Sequence, residues 1–107
     1  MKFWDTSAIV PLCVREPRSP AVRSILAKDK AIVVWWATRI DLISALMRRS
    51  RQGGISRTGE KQARRLLEML AKTWVEVQPA HSLRSTAERL LAVHSLRAAD
   101  GFQLAAA

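Results

Sequence analysis

Three short apolar runs, separated by helical segments, constrain the fold of this 107-residue chain more than any other feature. The runs cover residues 2–4, 31–36 and 73–77, and the middle run is apolar throughout. A continuous apolar run is typical of a strand buried on both faces of a parallel sheet, and parallel strands are joined by crossovers that usually contain a helix. The alternation therefore predicts an α/β fold in which helices cover both faces of a parallel sheet.

Start and stop signals divide the remaining chain into six predicted helices. Ser19-Pro20 places a cap before a first-turn proline, whereas Pro11 is compatible with a helix only in its first turn. Thr38 and Ser56 are predicted to cap the next two helices, and Gly53-Gly54 ends the first of these. The predicted helices cover residues 8–14, 20–28, 39–52, 57 onward, 82 or 85 to about 94, and 98–107.

Two of these helices carry apolar residues at helical spacing, which predicts the faces that they turn toward the core. The predicted inward residues are Ile40, Ile43, Leu46 and Met47 in one helix, and Ala63, Leu66, Leu67 and Leu70 in the next.

Length and cysteine content limit the organisation and location of the protein. A chain of 107 residues is too short for two independent cores, so we expect a single domain over residues 1–107. Cys13 is the only cysteine, so an internal disulfide is excluded. Its distance in sequence from His81 and His94 does not match the spacing of zinc ligands. No run is long enough to cross a membrane, and the amino terminus does not resemble a signal peptide, so we expect a soluble, cytoplasmic protein.

Basic residues outnumber acidic residues by two to one. Eighteen Lys and Arg against nine Asp and Glu give a formal charge of +9, and the excess is concentrated between residues 39 and 65. Such a surface attracts polyanions, and the candidates for contact with a nucleic-acid backbone include Arg39, Arg48, Arg49 and Arg51. The alternative, equally compatible with the sequence, is that these arginines form a solvated helix face.

Three aspartates lie near the starts of predicted helices: Asp5, Asp41 and Asp100. Ligands of parallel α/β sheets collect where strands end and helices begin, and a shared metal ion would account for all three acids. Taken singly, each could instead compensate the positive end of a helix dipole. Asp5 directly follows Phe3-Trp4, so we expect it to be partly buried. Thr6 and Ser7 are expected either to orient a carboxylate or water, or to cap the helix.

Three segments resemble the motifs of PIN-domain proteins of the VapC toxin type, in the same order and over almost the whole chain. Met1-Lys-Phe-Trp-Asp-Thr-Ser-Ala-Ile-Val10 resembles the first motif, a strand that delivers an aspartate followed by Thr-Ser. The segment Val34-Trp-Trp-Ala-Thr-Arg-Ile-Asp-Leu-Ile-Ser-Ala-Leu-Met-Arg-Arg49 is similar to the second, and Leu96-Arg-Ala-Ala-Asp-Gly-Phe-Gln-Leu-Ala-Ala-Ala107 to the third.

This resemblance implies a three-layer α/β/α sandwich and a Mg²⁺- or Mn²⁺-dependent endoribonuclease. It implies that Asp5 is the central metal ligand, and that Asp41 and Asp100 bind directly or through water. It also implies a toxin that forms a homodimer, cuts an RNA substrate and is paired with a cognate antitoxin protein.

The sequence departs from the family pattern in two places. The family usually has Glu where this chain has Asp41, which shortens the reach of the carboxylate by about 1.5 Å, the length of one C–C bond. The family also continues past the third motif into further strands. The resemblance therefore predicts a domain that is incomplete at its carboxyl terminus, lacks the last strands and leaves an exposed edge on the first strand.

Other classes of function compete with the nuclease. The main alternative is a catalytically silent PIN-like module that binds RNA or an antitoxin peptide. A haloacid-dehalogenase phosphatase also presents an aspartate after a strand, but that class resembles Asp-x-Asp, and Ser7 occupies the position of its second acid. A DNA-binding protein is disfavoured because the basic helices form no short helix-turn-helix unit.

Overall fold

Three short parallel strands form one sheet in the computed structural model, which describes residues 1–107. The strands are β1 (Lys2–Phe3), β2 (Ile32–Trp35) and β3 (Val75–Val77), in the order β1-β2-β3. Phe3 lies opposite Val33, which in turn lies opposite Val75. The predicted α/β class with a parallel sheet is confirmed, and β1 lies at an edge of the sheet, as expected.

Six helices accompany the sheet, close to the predicted bounds. Ser56 caps the fourth helix as predicted, since its Oγ accepts a hydrogen bond of 3.0 Å from the Gly59 N–H. Gly53 follows the third helix with a φ of 75°, a left-handed conformation that favours glycine. No helix has both the length and the apolar character needed to cross a bilayer. The helices are α1 (Thr6–Cys13), α2 (Ser19–Lys28), α3 (Thr38–Arg51), α4 (Arg57–Ala71), α5 (His81–Val93) and α6 (Ala98–Ala106).

The other predicted caps were wrong. Thr38 and Ser19 are the first residues of their helices and are buried, and neither hydroxyl caps its own helix. The Ser19 hydroxyl instead donates to the Val14 carbonyl at 3.0 Å and accepts from the Glu16 N–H at 2.8 Å, which ties α2 to the end of α1. Helix α5 begins at His81 without a side-chain cap, ahead of both predicted serines.

Pro11 lies in the second half of α1 and not in its first turn, contrary to the prediction. Proline has no N–H, so the carbonyl of Ser7, four residues earlier, loses its helical partner. Because Ser7 is exposed at the start of the helix, water can satisfy that carbonyl.

The main hydrophobic core joins β2 and Trp4, the residue that follows β1, to helices α1 to α4. Its cluster of 13 buried residues includes Ile9, Leu42, Leu46 and Leu67, each with no more than 1% of its surface exposed. The predicted inward face of α3 was therefore partly wrong. Leu46 is buried as expected, but Leu42 takes the place of Ile40, which is 67% exposed.

The predicted face of α4 is confirmed in part. Ala63 and Leu67 are buried within the main core, and Leu70 packs against it. Leu66 is 40% exposed and lies outside it.

Helices α5 and α6 form a second group that contacts β2 through α6. The Trp35 and Phe102 rings stack with centroids 5.3 Å apart and planes 13° from parallel. Successive strand residues point to opposite faces, so Trp35 lies on the face opposite Val34, which belongs to the main core. Helices therefore contact β2 from both sides. Within α5 and α6 the only buried residues are Leu83, Ala87 and Gly101.

Candidate active site

A cleft with a volume of about 980 Å³ lies where β1 ends and α1 begins, between α3 and α6. Asp5, Asp41 and Asp100 all line this cleft, although they are far apart in the sequence. The cleft therefore brings together all three predicted acids, and we refer to it as the carboxylate cleft.

The spacing of residues along two helices explains which side chains reach the carboxylate cleft. In α3, Asp41, Ser44 and Arg48 line it, and their three- and four-residue spacing places them on one helix face. In α6, Asp100 and Gln103 line it with the same spacing. Each acid in these helices lies in the first turn, as predicted.

Asp5 is the N-cap of α1. Its Oδ1 accepts hydrogen bonds from the Ala8 N–H at 2.9 Å and from the Ser7 hydroxyl at 3.0 Å, whereas Oδ2 makes no hydrogen bond with the protein. Asp5 thus takes the capping role that the sequence predicted for the polar segment Asp5-Thr6-Ser7, and neither hydroxyl of that segment caps the helix. The expectation that Asp5 is partly buried was wrong: it is exposed, because it follows β1 at the open mouth of the cleft.

Asp41 is half-buried and lies next to a small network of polar side chains. The Thr6 hydroxyl faces Asp41 Oδ2 at 3.5 Å, a long hydrogen bond. Gln103 Nε2 donates to the hydroxyls of both Thr6 and Thr38 at 3.0 Å, while Gln103 Oε1 is buried without a partner. Asp100 is exposed and forms no hydrogen bond or ion pair through its side chain.

Four arginines line the carboxylate cleft. The cleft also contains four acids, because Glu16 lines it together with the three aspartates. Arg48 and Arg49 were candidates for contact with nucleic acid, and Arg18 and Arg97 were missed. The Arg49 guanidinium pairs with Glu16 at 2.5 Å.

The other two candidate arginines do not line the cleft. Arg39 is paired with Glu68 on the surface, and Arg51 is exposed. Gln103 could have been found from the sequence, because it is three residues from Asp100 and therefore on the same side of α6. Arg97 is the extended residue directly before α6, so helical spacing does not predict its position.

The donor set fits a hard divalent cation. Neither histidine lines the cleft, nor does Cys13, whose thiol pKa burial raises to about 11, so the anionic groups available there are all carboxylates. No three His, Cys, Asp or Glu side chains are grouped closely enough to hold a metal by themselves. Mg²⁺ is normally held by one or two carboxylates together with waters and phosphate oxygens. Asp5, through its free Oδ2, and one of the other two aspartates of the cleft would supply that number of carboxylates.

No protein-family model matches this sequence, and no curated protein matches it. A function must therefore be inferred from the residues of the carboxylate cleft themselves.

Proposed function

We propose that this protein is a Mg²⁺-dependent endoribonuclease of the PIN-domain type. The observation that carries the proposal is the convergence of Asp5, Asp41 and Asp100 on one cleft at the end of a parallel strand. One N-cap aspartate and two first-turn aspartates would serve their own helices equally well on separate surfaces. Their common location is what a shared cation requires.

The carboxylates have distinct roles in this proposal. Asp5 would hold Mg²⁺ through Oδ2, because the Ala8 N–H and the Ser7 hydroxyl fix its other oxygen. Asp41 and Asp100 would not both bind directly, because no three such side chains are grouped closely enough, so at least one of them would bind through water. Mn²⁺ could replace Mg²⁺. The bound cation would supply an attacking water of lowered pKa and positive charge against the developing negative charge of the phosphate.

The arginines of the cleft account for substrate binding. Arg18, Arg48 and Arg97 line the cleft without any ion pair to an acidic side chain. Guanidinium groups bind phosphate oxygens with two parallel hydrogen bonds, so these residues would hold the RNA backbone beside the carboxylates. The net charge of +9 would raise the local concentration of RNA at moderate salt.

The broader biological assignments belong to the same proposal. The contacts of α6 with one face of β2, and of the main core with the other, support a PIN-like three-layer sandwich. The resemblance of the three motifs supports a cytoplasmic toxin of the VapC type, acting as a homodimer and neutralised by a cognate antitoxin protein.

The decisive experiment is cleavage of labelled RNA by purified protein, with and without Mg²⁺, compared with the Asp5→Asn variant. Asparagine is as good an N-cap as aspartate, so this variant keeps the start of α1 while it removes the charge. We expect cleavage to fall on the order of a hundredfold or more, equivalent to several kcal/mol of lost transition-state stabilisation. Asp29→Asn is the matched control, because Asp29 pairs with the amino terminus outside the cleft.

Each outcome separates the candidate functions. Cleavage without added metal, or equal cleavage by Asp5→Asn, would contradict the nuclease assignment to this site. RNA binding without cleavage by the wild-type protein would favour the catalytically silent RNA-binding module. An aspartyl-phosphate trapped on Asp5 would favour a phosphatase.

A further inference from the structure

Gln103 joins three helices at the wall of the carboxylate cleft. It projects from α6, and its Nε2 donates to the hydroxyls of Thr6 and Thr38, each at 3.0 Å. These two threonines are the first residues of α1 and α3. One amide group therefore connects the beginnings of two helices of the main core to the helix that carries Asp100.

The direction of the hydrogen bonds extends this connection to Asp41. Because the Gln103 amide donates to the Thr6 oxygen, the Thr6 proton is free to point toward Asp41 Oδ2, 3.5 Å away. If the amide were reversed, Thr6 and Thr38 would both have to donate to Oε1, and Thr6 would have no proton for Asp41. The arrangement thus forms a directed chain from Gln103 through Thr6 to Asp41.

Helix α6 packs extensively against α5, but few other contacts fix it to the sheet and the main core. Gly101 is its only buried residue, and Phe102, which stacks on Trp35, is half-buried. Thr38, in contrast, is fully buried, so its hydrogen bond to Gln103 is shielded from water. A shielded polar contact fixes orientation better than apolar contacts of the same size, because a misplaced partner leaves a buried group unsatisfied.

We propose that Gln103 is a positioning residue that couples the docking of α6 to the orientation of Asp41. The hydrogen bond to Thr38 holds α6, and with it Asp100, against the main core. The hydrogen bond to Thr6 directs that hydroxyl at Asp41. The second part rests on the proposed function, since it assigns Asp41 to the cation, whereas the first part does not depend on it.

The test uses Mn²⁺ alone as the probe and amide hydrogen exchange as an independent measurement. Gln103→Leu keeps the approximate size of the side chain but removes both of its hydrogen bonds. Thr38→Val removes the bond between Gln103 and Thr38, and Thr6→Val removes the bond between Gln103 and Thr6. Thr6→Ser retains the hydroxyl and is the rescue variant. Gln62→Leu, at an exposed position of α4, is the matched control.

We expect Gln103→Leu to weaken Mn²⁺ binding about tenfold, the lower limit for loss of a group that orients a metal ligand. Thr6→Val is expected to weaken binding similarly and Thr6→Ser to restore it. Adding Thr6→Val to Gln103→Leu is expected to cause little further loss, since both changes break one chain. Gln103→Leu and Thr38→Val are expected to accelerate exchange of the α6 amides, and Thr6→Val much less.

Two results would overturn the inference. Wild-type Mn²⁺ affinity in Gln103→Leu, or additive losses in the double variant, would show that Gln103 does not act through Thr6. Unchanged α6 exchange in both Gln103→Leu and Thr38→Val would show that the amide does not dock the helix. If the wild-type protein binds no Mn²⁺, the proposed function and the Asp41 part fail together, and α6 exchange still decides the docking part.

Discussion

The two groups of helices that contact β2 are held to it in different ways. Helices α1 to α4 share the main core, in which Ile9, Leu42, Leu46 and Leu67 are almost completely enclosed. Helices α5 and α6 bury only three residues of their own and leave Val93 76% exposed and Leu104 50% exposed. The carboxylate cleft lies between the two groups, because Asp5 and Asp41 belong to the first and Asp100 to the second. The site is thus assembled from a firmly packed part and a lightly attached part.

The largest effect is expected from a cavity in the main core. Leu46→Ala removes a side chain that is only 1% exposed and should lower the free energy of unfolding by roughly 2–5 kcal/mol. Leu104→Ala in α6 is the matched control and should change it by less than about 0.5 kcal/mol. Urea denaturation measures both values, and comparable losses would mean that the two groups are packed equally well.

Cys13 tests how completely the main core excludes water. Burial raises the pKa of its thiol from 9.0 to about 11, so between these values the unfolded chain loses a proton that the folded protein keeps. Its contribution to stability is therefore unchanged below pH 9 and falls as the pH rises toward 11, by about 2–3 kcal/mol at 1.36 kcal/mol per unit.

Cys13→Ala has no thiol to ionise and is the control for every other effect of pH on the stability of the protein. The difference between the two proteins in urea denaturation, followed from pH 8 to pH 11, isolates the thiol. A constant difference across that range would mean that water reaches Cys13 and that the main core is less enclosed than its packing indicates.

A smaller effect is expected at the contact between α6 and the sheet. Phe102→Ala removes the ring that stacks on Trp35 and should cost about 1–2 kcal/mol, since the ring is only half-buried. Exchange of the α6 amides should accelerate, while the amides of α3 and α4 remain protected. Phe102→Leu retains apolar volume, so its free energy of unfolding should lie between those of the wild-type protein and Phe102→Ala. Equal acceleration throughout the protein would show that the two groups unfold as a single unit.

The sequence predicted the strands and helices well because their signals are local. The apolar run in β2, the cap at Ser56 and the glycine after α3 each depend on neighbouring residues only. The inward face of α3 was harder to predict, because Ile40 and Ile43 are three residues apart and Leu42 and Leu46 are four, and both spacings place residues on one helix face. Only packing against α1 and α4 decides which of these alternatives is buried.

The sequence predicted the three aspartates of the candidate site but not the side chains that surround them. Asp5, Asp41 and Asp100 were identified because each follows a local boundary between elements. The spacing of Gln103 from Asp100 places it on the cleft side of α6, but its hydrogen bonds could not be predicted, because their partners are 65 and 97 residues away. Thr38 was assigned to the wrong role for the same reason, because its hydroxyl bonds to a residue that only folding brings near.

The glycine beside Asp100 gives the protein a simple means of adjusting its cleft. A Cβ at position 101 would lie 3.1 Å from Leu91 Cδ2, so the absence of a side chain there lets α6 approach α5 closely. A larger residue would have to displace the Leu91 side chain or move α6, and with it the Asp100 carboxylate, away from α5. Substitution at this position would therefore change the separation of the acids, although the position has no chemistry of its own.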